Sequence, residues 1–307
     1  MSDSEESSSR FGTVALVGRP NAGKSTLLNR LLGEKVSIVS DKPQTTRNRI
    51  VGILNEPGGQ IVFLDTPGIH KPLHRMNVRM MNHVRSSLIE ADIVCVLVDI
   101  SAPFGHGEQY VLEMIREQAE REGAVCMAIL NKIDRVAKPL LLPIIQRYSD
   151  TGLFREIVPV SATNGDGVSR VVSALMELLP EGRPRFDEDT YTTQPERFLA
   201  AELIREKLLR LTRNELPYTT AVTIERWEEE RKLVRIFATI YVERQSQKKI
   251  VIGAGGSLIK AIGTAARVEL EGILGSKVFL DLHVSVHESW REDERFLGEL
   301  EWPLDSQ

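Results

Sequence analysis

The chain has 307 residues, 42% of them hydrophobic and 27% charged, which suffices for two globular domains with separate cores. Its formal charge of −4 excludes a general attraction to polyanions, so any nucleic-acid site must be a local basic patch. No run approaches the roughly 18 apolar residues of a spanning helix, and the opening MSDSEESSSR has neither a signal core nor a presequence character. A cytoplasmic protein with a solvated tail over residues 1–10 is expected.

Between residues 11 and 182, β-branched apolar runs (VALVG, RIVGIL, IVFLDT, DIVCVLVDI, AVCMAIL, EIVPVS) alternate with helix-like stretches such as KSTLLNRLLG, VRMMNHVRSSLIEA and EQYVLEMIREQAER. Strands apolar on both faces and separated by amphipathic helices predict an α/β domain with a mostly parallel sheet, whose ligands bind at the strands' C-terminal ends. Cys95 and Cys126 lie inside two of the runs without metal or disulfide spacing and read as core thiols. Residues 183–195, polar and carrying Pro184 and Pro195, read as a linker. Residues 196–301 then follow the order α-β-β-α-α-β with a last short helix, a smaller α+β domain, and residues 302–307 form a second tail.

GRPNAGKS fits G-x-x-x-x-G-K-[ST], with the strand before it and the helix after it that the motif requires. Gly18, Arg19, Pro20, Asn21, Ala22 and Gly23 wrap phosphates with backbone N–H groups, Lys24 supplies a charge, Ser25 offers a hydroxyl to Mg²⁺, and Thr26 opens the helix. Asp65, Thr66, Pro67 and Gly68 follow the strand IVFL, placing Asp65 near the metal and the Gly68 N–H near a γ-phosphate. Asn131, Lys132, Ile133 and Asp134 end another strand. The Asp134 carboxylate can accept from guanine N1–H and N2–H₂, donors that adenine lacks, so GTP is favoured over ATP. Asn131 is expected on the N7 side of the base, the Lys132 stem over the ring, and backbone N–H groups of Ser161 and Ala162 near O6, with Thr163 next to them in the same nucleotide-binding loop.

These four motifs resemble the translation-factor class of Ras-like P-loop GTPases. The resemblance makes Gln44, Thr45, Thr46, Arg47 and Asn48 a switch loop and selects Thr46, before Arg47, as the threonine that joins Ser25 and Asp65 at Mg²⁺. It implies catalytic roles for Lys24, Asn21, Thr46 and Gly68. Ile69 stands where Ras-like enzymes carry a water-orienting glutamine, so slow intrinsic turnover is expected. In related GTPases an asparagine at the position of Asn21 accompanies a K⁺ ion beside the phosphates; the same residue could instead brace the turn.

VIGAGGSLIK is not a dinucleotide fingerprint, because Leu258 stands at the third glycine position, and it has no Gly-Lys-Ser/Thr. Ile252, Gly253, Ala254, Gly255 and Gly256 between two helices look like the GXXG loop of a type II KH domain, which clamps single-stranded nucleic acid. Arg244, Lys248, Lys249, Lys260 and Arg267 form an acid-free basic strip around it. The loop's variable positions, Ala254 and Gly255, lack the usual basic residue.

With GRPNAGKS, PQTTR, DTPGIHKP, NKID, ERFLAAELIREKL, ELPY and VIGAGG in order, the chain resembles the bacterial Era family from about residue 11 to 300. That resemblance implies a Ras-like GTPase domain followed by a KH domain, binding of small-subunit (16S) ribosomal RNA near its 3′ end, and action on the pre-small ribosomal subunit by a monomer, with peripheral contact at the inner membrane. A peripheral signalling GTPase whose second domain docks a protein is the alternative.

Overall fold

The computed structural model describes residues 9–212 and 216–301, so the acidic opening, the C-terminal tail and Glu215 of ELPY lie outside the described residues. The chain divides into two compact units, the first ending at Thr193 and the second taking in Gln194 onward together with Ile38–Thr45 and Pro72–Val78.

In the first unit β1 (Arg10–Gly18), β2 (Ile50–Glu56), β3 (Gly59–Asp65), β4 (Ile93–Asp99), β5 (Val125–Asn131) and β6 (Glu156–Val160) form one sheet in the order β2-β3-β1-β4-β5-β6. All neighbours are parallel except β2 and β3. The apolar runs are buried because helices cover them: α1 (Lys24–Leu32), α2 (Arg75–Glu90), α3 (His106–Glu122), α4 (Leu141–Ser149) and α5 (Val168–Leu178). Val94, Val96 and Val98 of β4 pack with Met81, Val84 and Leu88 of α2 and Val111 and Ile115 of α3 in a single core cluster. Cys95 and Cys126 are both free and buried, Cys126 within this cluster, and burial pushes the Cys126 thiol up to about 11.

Two boundaries differ from the sequence reading. β1 starts at Arg10, inside the expected tail, because its N–H finds the carbonyl of Gly58 at 2.8 Å. Residues 183–193 follow the edge strand β2 instead of standing free as a linker. Ile53 N–H donates to Tyr191 O at 2.9 Å, Thr192 Oγ1 to Val51 O at 2.6 Å, and the buried Gln60 accepts from the Arg185 and Phe186 N–H groups. An edge strand's unpaired backbone groups and a buried amide both need partners, and this segment supplies them.

The second unit carries α6 (Glu196–Leu211), β7 (Thr220–Glu230), β8 (Leu233–Val242), α7 (Gln245–Ile252), α8 (Ser257–Leu274), β9 (Lys277–Val286) and α9 (Glu294–Leu300). Its sheet runs β7-β8-β9, antiparallel then parallel. Alternation sets the faces: Val234, Ile236, Ala238, Ile240 and Val242 of β8 are buried, and they pack in clusters with residues of α6 and α8. The stretch Gln245–Leu274 has the length and mean hydropathy of a membrane span; the glycine turn breaks it into two helices, and Val251, Ile262, Ala266 and Leu270 of these serve the core.

Helix α6 is unusually buried for a charged helix. Glu206, 0% exposed, accepts from the Val39 N–H at 3.0 Å, from Lys207 Nζ at 2.7 Å and from Arg210 Nη2 at 3.0 Å, while Lys207 also meets Glu269. Arg205 donates to the Thr45 carbonyl. Removing one member of such a cluster leaves uncompensated buried charge. Glu206→Ala is therefore expected to lower unfolding free energy by about 3–5 kcal/mol, measured by urea denaturation; a loss within the range of surface substitutions would contradict this account of the cluster.

Candidate nucleotide site and nucleic-acid groove

Four loops at the C-terminal ends of β1, β3, β5 and β6 build the first site. The phosphate loop leaves β1 at Gly18 and enters α1 at Lys24. Gly23 has φ 101°, and a Cβ there would meet Asn131 Nδ2 at 2.2 Å, so only glycine closes this turn. Asn21 also adopts a left-handed φ of 63°. Arg19 and Pro20 are half-buried, Ala22 is buried, and Thr26 lies in the first turn of α1. Lys24 Nζ folds back onto the Gly18 and Arg19 carbonyls at 3.3 and 3.2 Å; burial lowers its ammonium to about 8, opposed by the charge of Asp65.

Ser25, Thr46 and Asp65 meet at the head of α1. Ser25 Oγ donates to Asp65 Oδ2 at 2.6 Å and lies 2.9 Å from Thr46 Oγ1, and Ser37 Oγ also donates to Asp65 Oδ2, at 2.9 Å. Burial pushes the Asp65 carboxyl up, opposed by Lys24 and by its hydrogen bonds. Its Oδ1 is buried and has no hydrogen-bond partner among the described residues. Two hydroxyls beside an orphaned carboxylate oxygen are hard oxygen donors, a set that fits Mg²⁺ completed by phosphate oxygens and water. Thr45 sits elsewhere, its Oγ1 donating to Lys42 O at 2.6 Å. Gln44, with φ 60°, precedes it, and Arg47 and Asn48 lead into β2, half-buried.

Thr66 anchors the turn after β3 by donating to Leu16 O at 2.8 Å, Pro67 and Gly68 follow, and the Ile69 N–H donates to Gly18 O at 2.9 Å. The Ile69 side chain is 3% exposed and belongs to the core cluster, so it packs instead of facing the phosphates. Ile69→Gln is accordingly expected to bury an unpartnered amide, cost about 1–3 kcal/mol of stability and leave single-turnover hydrolysis no faster. Acceleration in a stable variant would contradict this placement.

The base-side loops interlock. Asn131 Nδ2 donates to Ala22 O at 2.8 Å, and its Oδ1 accepts from the Lys132 N–H at 2.8 Å and the Ala162 N–H at 3.0 Å, so this side chain braces the phosphate loop with one amide hydrogen to spare. Lys132 Nζ reaches Asn21 O at 2.8 Å and Asp99 Oδ2 at 2.5 Å. Ile133 begins a short 3₁₀ turn that carries Asp134, whose Oδ1 accepts from Ser161 Oγ at 2.6 Å. The expected backbone donors to the base are committed: Ser161 N–H to Asp166 O at 2.9 Å and Ala162 N–H to Asn131. The Thr163 carbonyl is held by Arg30. Asp99, Ser37 and Arg30 are site residues that the motifs do not announce.

The second site lies wholly in the second unit. Ile252 ends α7, and Gly253, Ala254, Gly255 and Gly256 turn the chain into α8 with φ of 76°, 57° and 80° at the three glycines. A Cβ on Gly253 would come within 2.8 Å of the Leu258 nitrogen. Beside α8 runs a groove of about 580 Å³, lined by Lys260, Gly263, Thr264 and Arg267 and closed by Arg235, Phe279 and Leu282. Lys260 and Arg267 of the expected basic strip line it; Arg244 caps the far end of α7, and Lys248 and Lys249 lie on α7 outside the lining. Arg235 and Phe279 were not legible as partners: they share register across β8 and β9, with the guanidinium 5.6 Å from the ring centre. A cation and an exposed aromatic beside an apolar groove suit a stacked, charged strand.

Residues 13–132 match the family model of 50S ribosome-binding GTPases and residues 215–291 that of the KH domain. GTPase Era of Geobacter metallireducens is 50% identical over 293 residues, 95% of this chain and 97% of the relative. GTPase Era of Staphylococcus haemolyticus is 43% identical over 292 residues, 95% of this chain and 96% of the relative. Era crystallised with MgGDPNP and nucleotides 1506–1542 of 16S ribosomal RNA superimposes with a TM-score of 0.91 at 39% identity, covering 95% of this chain and 98% of that one. Aquifex aeolicus Era bound to GDP and aluminium fluoride gives 0.90 at 39% over the same shares. The chain belongs to the Era family of GTPases.

Proposed function

We propose that the chain couples GTP hydrolysis to binding of single-stranded small-subunit ribosomal RNA near its 3′ end, and that it acts in the cytoplasm on the pre-small subunit during maturation. The observation that carries the reading is the presence, in one chain, of the four-loop nucleotide site and, along the helix that the glycine turn opens, a groove lined by Lys260 and Arg267; the relative crystallised with both MgGDPNP and a 16S fragment supports it.

Ser25, Thr46 and Asp65 would hold a magnesium ion, which when bound neutralises charge on the β- and γ-phosphate oxygens. Lys24 adds its charge once phosphate draws it from the Gly18 and Arg19 carbonyls, and the Gly68 N–H faces the γ-phosphate. Asp134 takes the guanine donors in place of the Ser161 hydroxyl. Thr46 would complete that metal site with the γ-phosphate in place, and the residues before it, Ile38–Thr45, are held by α6 of the second unit. Nucleotide state thereby biases a segment packed in the RNA-binding unit, which requires RNA affinity to differ between GTP and GDP forms. Equal affinity in both forms would remove the gating while leaving two sites.

Asn21, at the left-handed position of the phosphate loop, carries the further proposal of a K⁺ ion beside the phosphates. Single-turnover hydrolysis is expected to be about tenfold or more faster in potassium than in sodium, since a second cation would stabilise transition-state charge. Equal rates would leave Asn21 as a brace.

A further inference from the structure

A pocket of about 590 Å³ lies in the first unit between α4 and the connection from β4 to α3, in the size range of small-molecule sites. Its walls are apolar, formed by Ile100, Phe104, Leu140 and Ile144, of which Phe104 and Leu140 are exposed at the mouth. Glu108, in the first turn of α3, is 4% exposed and lines the same cavity, and its Oε1 has no hydrogen-bond partner among the described residues. A buried carboxylate without a donor is costly, and such groups in clefts mark sites.

The groups facing Glu108 from each packed element define what the pocket lacks. Asp99, at the end of β4, repels its charge and is itself engaged by Lys132 and by Ser101. Arg19 of the phosphate loop attracts it without a hydrogen bond among those observed. Arg147 of α4 is directed to the Phe104 ring, 5.4 Å from its centre, and Tyr148, also of α4, is kept protonated by burial and by the charge of Glu108. With Asp99 paired to Lys132 and Arg147 turned to Phe104, the unpartnered Glu108 oxygen against apolar walls favours a cation with an apolar stem over an anion.

We propose that this pocket binds a small aliphatic amine or guanidine, with Glu108 as the counter-charge and the Phe104 and Leu140 walls covering the stem. Asp99 of the pocket lining is bonded to Lys132 of the nucleotide loops, and Glu108 feels the charge of Arg19 in the phosphate loop, so the site is a candidate for small-molecule control of the GTPase. Burial holds the Glu108 carboxyl up near 7, opposed by Arg19 and reinforced by Asp99. A cation selects the ionised form, so apparent affinity follows the ionised fraction and rises as pH rises.

The test is calorimetric titration of the full chain, saturated with GDP and Mg²⁺, with pentylamine, pentylguanidine, pentanol and pentanoate. The two cations are expected to bind about tenfold or more tightly than pentanol, with affinity rising about tenfold from pH 6 to pH 8 and proton release at the lower pH. Glu108→Gln is expected to remove both the preference for cations and the pH dependence. Pentanol binding as tightly as pentylamine, or a pH-independent affinity, would overturn the proposal. Both of those comparisons are made on the wild-type chain, so they hold whether or not the variant folds.

Discussion

Lys24→Ala is expected to reduce GTP and GDP affinity by about 30-fold to several thousandfold, with hydrolysis falling in step. The Lys24 ammonium lies inside the phosphate loop, buried at 6% exposure and resting on the Gly18 and Arg19 carbonyls. Truncating one partner of a buried charge pair costs about 2–5 kcal/mol, because phosphate is left against Asp65 without compensation. The same substitution leaves the Asp65 carboxylate without its neighbouring charge in the free protein, so a lower melting temperature without nucleotide is expected as well. Equilibrium binding of a fluorescent GDP analogue checks the prediction; affinity within a few-fold of wild type would show that the phosphates sit elsewhere.

Gly255→Asp should weaken RNA binding by about tenfold to a hundredfold without unfolding the second unit. Gly255 has φ 57° and ψ 25°, a left-handed conformation that aspartate tolerates better than most residues, and a Cβ there meets nothing within 4 Å. The variant therefore tests charge with little steric change. A carboxylate placed against an RNA phosphate costs several kcal/mol at close range and less where water screens it. The measurement is a filter-binding titration with a single-stranded 16S 3′-end fragment, with circular dichroism and GTPase rate as controls. Unchanged RNA affinity in a folded variant would move the strand away from the glycine turn.

The α/β alternation, the GTPase and KH assignment and the Era-family likeness were all legible in the sequence, and the fold and the relatives bear them out. They were legible because backbone geometry dictates them locally. A phosphate loop needs its glycines at fixed spacing, and strands buried on both faces must be apolar throughout. What escaped depended on distant partners. The polar segment 183–193 reads as a linker until the buried Gln60 and the β2 edge are in place to receive it. Ile69 reads as a missing glutamine, but its chain faces the core once its N–H is tied to Gly18. Arg235 and Phe279 look like ordinary outward positions of alternating strands, and only the β8–β9 register brings them together at the groove. Glu206 and Arg205 look like solvated charges of an amphipathic helix, yet Val39 and Thr45 pack against them.

The central claim is that nucleotide state governs the hold on ribosomal RNA. The measurement that tests it most directly is crosslinking with sequencing of bound RNA in cell extract, comparing the chain loaded with a non-hydrolysable GTP analogue against the chain loaded with GDP. The account predicts a peak near the 3′ end of the small-subunit RNA, several-fold stronger in the GTP form. A peak of equal height in both forms, or none at that end, would contradict it.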